Sequence, residues 1–105
     1  MIVIMVRFQI QRQQNNYYQV IVSGHSGFKA KGQDIVCSAV SAVVFGTLNA
    51  LDRQCQDSIS ISVKDDIIIK VLEVQAVNQI VLNTMVYQLQ TIAEQYPQNI
   101  EIKEI

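Results

Sequence analysis

The chain has 105 residues, of which 50% are hydrophobic and 16% charged, with a formal net charge of −1 and a single proline. It is too apolar to be disordered and too short for two cores, so residues 1–105 are expected to form one domain. The near-neutral balance supplies no positive field to hold nucleic acid or an anionic membrane, and no direct contact with either is expected.

Met1 to Ile10 and Tyr17 to Ser23 are rich in β-branched and aromatic residues, with Gln13, Gln14, Asn15 and Asn16 offering turn chemistry between them. This predicts an opening β-hairpin. The Met1 to Val6 run lacks a basic segment before it and meets Arg7 at once, so it reads as strand rather than as a signal sequence. Gly24, Gly27 and Gly32 punctuate the stretch that follows, which predicts a mobile loop.

Asp34 precedes an apolar run from Ile35 to Asp52 and suits a helix N-cap, where its carboxylate accepts a backbone N–H. The helix would be apolar on nearly every side. It therefore needs cover on more than one face, from its own fold or from a second subunit. Gly46 inside it costs about 1 kcal/mol relative to Ala, a cost best tolerated where something packs closely. The longest near-apolar stretch, Ile35 to Phe45, falls short of the roughly 18 residues of a membrane span.

Ser58 to Val63 alternates with period two, and Ile67 to Glu73 follows after Lys64, Asp65 and Asp66, predicting a second hairpin with Ile59, Ile61 and Val63 facing inward. Val77, Ile80, Val81, Thr84, Met85, Leu89, Ile92, Ala93 and Tyr96 then recur mostly at spacings of three and four. They mark the buried stripe of an amphipathic helix that Pro97 ends. Asn99 to Ile105 alternates again and supplies a last strand. The order ββαββαβ predicts an α+β two-layer sandwich with two helices on a mixed or antiparallel sheet.

Chemistry concentrates around the only histidine, His25, and Cys37 twelve residues later. With Asp34 as cap, Cys37 is the third helical residue, where unpaired N–H groups and the helix dipole favour a thiolate and offer oxyanion donors. An imidazole nearby would supply the base that takes the thiol proton and the acid that protonates a leaving amine. Spacing alone leaves the plainer reading open, with Cys37 a packed core thiol and His25 an exposed loop residue. Cys37 and Cys55 lie eighteen residues apart, roughly 27 Å along one helix, so a disulfide between them is excluded and Cys55 reads as a free structural thiol. Neither CxxC nor HxxxH spacing occurs, and neither phosphate-loop pattern is present, so no metal, nucleotide or other cofactor is expected.

Gly24-His25-Ser26-Gly27, followed by Gly32-Gln33-Asp34-Ile35-Val36-Cys37-Ser38-Ala39-Val40-Ser41-Ala42, resembles the signature of the ribosomal-processing cysteine protease family, Prp. The flanking strands and the closing Tyr96-Pro97 with Ile100-Glu101-Ile102 extend the likeness over the whole chain. The resemblance implies a homodimeric, cytoplasmic bacterial endopeptidase that removes a short N-terminal extension from a large-subunit ribosomal protein precursor. It makes Cys37 the nucleophile and His25 the general base, with Asp34 helping to orient the imidazole and Ser41 one helical turn beyond Cys37. Gly24, Ser26, Gly27 and Gly32 then belong to a loop that orders over the substrate. Ser26 stands where the family commonly has Ala. The alternative function is a non-catalytic ribosome-associated module that grips a peptide with the same loop.

Overall fold

The computed structural model describes residues 5–24 and 35–105. β1 (Val6–Gln13) and β2 (Asn16–Ser23) form the first hairpin, closed by Gln14 and Asn15 at φ 54° and 68°. Two successive left-handed residues make a two-residue loop whose twist matches that of the strands. The β1 register advances one residue between Gln11 and Arg12, leaving Tyr18 as the extra residue of a bulge. The first strand thus begins later and ends later than the sequence suggests, and Met1 to Ile4 lie outside the described residues.

The helix α1 (Ile35–Cys55) is 21 residues long, three beyond the predicted end at Asp52. A 3-10 turn at Gln56–Ser58 leads into β3 (Ile59–Val63) and β4 (Ile67–Val71), then α2 (Ala76–Gln95) and β5 (Ile100–Glu104). The sheet order is β3-β4-β2-β1-β5, with every neighbouring pair antiparallel except β1 and β5. The parallel pair follows from the helical crossover, because α2 carries the chain back across the sheet before β5 begins. This is the expected α+β sandwich with a mixed sheet.

Both helices pack on one face, α1 beside α2 and against β3, α2 against β2 and β5. Phe8, Ile10, Val20, Val22, Ile67 and Ile69 from the sheet meet Val40, Val44, Leu51, Leu82, Met85 and Leu89 from the helices in one buried cluster. Each such side chain contributes about 1.5–3 kcal/mol relative to leaving it exposed.

Three side-chain expectations are corrected. The buried stripe of α2 is Asn78, Leu82, Met85, Val86 and Leu89, while Val77 and Ile80 are 41% and 66% exposed. Asn78 is buried because its polarity is fully used: its Nδ2 donates to Ser58 Oγ and the Glu73 carbonyl, and its Oδ1 accepts from Gln75 N–H and Gln79 Nε2. Val63, predicted to face inward and be covered, is 52% exposed. Finally, among the described residues nothing lies within 4 Å of a Cβ placed on Gly46, so their packing does not explain that glycine.

By length and composition α1, taken with the turn after it, could cross a bilayer, so the expectation that it falls short is corrected as well. In this fold it is a core helix, with Val40, Val44 and Leu51 fully buried against the sheet.

Candidate active site

α1 sets the geometry of the site. Cys37 is its third residue and is 5% exposed, with Val36 and Val40 buried beside it. The sulfur therefore belongs to the first helical turn, whose backbone N–H groups have no intrahelical acceptor and whose dipole end is positive. Among the described residues no acidic side chain occupies that turn. Cys55 is the last residue of the same helix and is also buried, and the two cysteines are thiols rather than halves of a disulfide. Cys55 therefore sits at the negative end of α1, opposite to the end that stabilises a thiolate.

Ser41 lies four residues after Cys37 on the same side of α1 and is half-buried, at the margin between core and solvent. One further turn on, Phe45 is 42% exposed. The sequence motif marks Ser41 but not Phe45. The i, i+4, i+8 series Cys37, Ser41, Phe45 was the available signal for a flank that grows more open as it leaves the nucleophile.

On the sheet side, β2 ends at Ser23 and Gly24 follows with φ +78°. A Cβ there would overlap the carbonyl oxygen of Met5, so only glycine fits where the chain leaves β2. The chain thus departs toward His25 from a fixed backbone point beside the start of β1. His25, Ser26, Gly27, Gly32 and Asp34 lie outside the described residues. The strand end that leads to His25 and the first turn of α1 that holds Cys37 are the two described ends of that segment. Among the described residues no three His, Cys, Asp or Glu side chains cluster as metal ligands would.

A helix N-terminal cysteine joined through a glycine-bounded segment to the strand before a histidine is an arrangement suited to thiol chemistry, and comparison with known proteins specifies which. The family model described as "Cysteine protease Prp" matches residues 5–101. The ribosomal processing cysteine protease Prp of Mycoplasma pneumoniae is 34% identical over 94 residues, covering 85% of this chain and 89% of that protein. The Staphylococcus aureus protein of the same name is 37% identical over 87 residues, covering 79% and 82%. A crystal structure of the S. aureus protease with a covalently linked product peptide superposes with a TM-score of 0.86 at 31% identity, over 96% of this chain and 100% of that one. A second, with a substrate peptide, gives 0.79 at 29% identity, over 96% and 100%. Sequence and fold agree, and the chain belongs to the cysteine protease Prp family.

Proposed function

We propose that this chain is the endopeptidase that removes the N-terminal extension of a large-subunit ribosomal protein precursor, with Cys37 as nucleophile and His25 as general base. The observation that carries the assignment is the placement of Cys37 in the first turn of α1 within a chain of the Prp family. His25 takes the Cys37 proton, the thiolate attacks the scissile carbonyl, and the first-turn N–H groups stabilise the oxyanion. The protonated imidazole then donates to the leaving amine, and water, activated by the same imidazole, hydrolyses the thioester. Asp34 orients His25, Ser41 contacts the substrate beside the nucleophile, and Gly24, Ser26, Gly27 and Gly32 carry the loop over it. The peptide ligands of the S. aureus structures support a peptide substrate for this site. Action in the cytoplasm, where ribosomal precursors are made, belongs to the same reading.

A homodimer completes the proposal. Ala42, Val43, Gly46 and Ala50 of α1 and Ile80, Val81 and Thr84 of α2 line an open apolar groove between the helices. The exposed Ile80 and the vacant space over Gly46 leave room for a helix of a second copy to approach closely. Sedimentation across a concentration series reports this directly, with Ile80→Glu expected to yield monomer.

The catalytic pair is tested by alkylation. Cys37 is expected to react with iodoacetamide at least about tenfold faster than Cys55, and His25→Ala to remove that advantage. Equal, slow reaction of both thiols would instead support the peptide-gripping module without catalysis.

A further inference from the structure

The free edge of β3 has the features of a peptide-binding strand. Among the described residues β3 ends the sheet, pairing with β4 alone. Leu72 N–H donates to Ser58 O at 2.8 Å and Lys64 N–H to Asp66 O at 3.1 Å, at either end of the β3–β4 ladder. In the register Ile59↔Val71, Ile61↔Ile69, Val63↔Ile67, antiparallel alternation then turns the backbone groups of Ser60 and Ser62 toward β4. Those of Ile59, Ile61 and Val63 point out from the sheet, without a backbone partner among the described residues.

The side chains of this outward set lie on the core face. Val63 and Ile61 stand opposite Ile67 and Ile69, both fully buried, yet exposure rises along β3 from 7% at Ile59 to 52% at Val63. The core face of the edge strand therefore runs out from under α1. The open end is also the site end. Val63 pairs with Ile67, and Ile67 pairs with Val22, two residues before Gly24, so Val63 lies roughly 10 Å across the sheet from the strand that leads to His25. On the helix side the partly exposed Phe45 continues the flank of Cys37 and Ser41.

We propose that the substrate peptide binds in extended form as a sixth strand on β3, hydrogen-bonded to the outward backbone groups of Ile61 and Val63. Its alternate apolar side chains rest on Ile61, Val63 and Phe45. This rests on the protease reading and extends it: main-chain pairing supplies affinity, and the uncovered ledge selects apolar residues upstream or downstream of the cleaved bond. The occupant is the substrate rather than a second copy because the open end of β3 lies at the end of the sheet from which β2 leads to His25, and structures of the related protease hold peptides.

The test uses the full chain and a synthetic peptide spanning the extension and cleavage junction of the precursor. In Cys37→Ala protein, saturating peptide is expected to slow amide exchange at Ile61 and Val63 about tenfold or more. In the active protein Val63→Pro deletes an outward donor that no described residue uses, a position where an edge strand accepts proline. It is expected to raise KM about tenfold with kcat within about twofold. If Val63→Pro melts early, peptides N-methylated one residue at a time replace it, and one or two positions are expected to lose binding. Unchanged exchange at Ile61 and Val63 with peptide bound overturns the proposal, as does an unchanged KM in folded Val63→Pro, a peptide that does not bind, or protection that appears with protein concentration alone. Loss of the protease reading shows separately, as absence of cleavage by wild type despite peptide binding.

Discussion

The two edges of the sheet are built from opposite materials. At one end β5 alternates Ile100 and Ile102 with Glu101, Lys103 and Glu104. Its carboxylates reach Arg7 at 3.4 Å and Arg12 at 3.1 Å on β1. At the other end β3 reads Ile59-Ser60-Ile61-Ser62-Val63, without a charge over five residues. Charged side chains on an edge discourage another chain from pairing there, and an uncharged edge invites it. The difference shows which edge the fold guards and which it leaves for use, and the unguarded one is on the side of the sheet that α1 covers.

The sharpest way to break this contrast lies within β3 itself. Ser60→Pro removes a donor that the ladder with β4 uses, and is expected to cost about 3 kcal/mol or more by urea denaturation, while Val63→Pro stays close to wild type. Equal losses would mean that the outward and inward assignments along β3 are wrong. A smaller effect is expected at the helix groove. Gly46→Ala should stabilise an isolated chain by up to about 1 kcal/mol, because helix propensity improves and the new Cβ meets open space. Within a dimer that packs on Gly46 the same change should weaken association, so sedimentation and denaturation are expected to move in opposite directions. The smallest effect belongs to the guarded edge. The Arg7–Glu101 pair is more than half exposed on both sides, so Glu101→Gln is expected to cost less than about 1 kcal/mol and to lose even that in high salt.

Much of this architecture is legible in the sequence because period and turn chemistry are local. Asn15 and its neighbours mark the first hairpin, the Ser-Ile alternation marks β3, and Asp34 before an apolar run places Cys37 in a first helical turn. What eluded the sequence is tertiary. Val63 has the correct parity for the core face, but whether a helix covers it depends on where α1 lies over the sheet. Val77 and Ile80 fit a helical period as well as Leu82 and Val86 do, and only the docking of α2 selects the buried arc. The burial of Asn78 has no local signal either, because the partners that satisfy it, Ser58 and the Glu73 carbonyl, lie outside its helix. The parallel pairing of β1 with β5 has no local signal at all. The proposed site divides in the same way: motif and spacing mark Cys37 and Ser41, whereas the exposure of Phe45 and of the Val63 end of β3 required the fold.

The most direct test of the catalytic assignment is an intact-mass measurement on the precursor ribosomal protein after incubation with wild-type chain and with Cys37→Ala. A single discrete N-terminal loss with wild type, absent with Cys37→Ala although that variant still folds and binds the precursor, is the predicted result. Cleavage by Cys37→Ala at the wild-type rate, or an unchanged mass with wild type on a correctly folded, bound precursor, would contradict it.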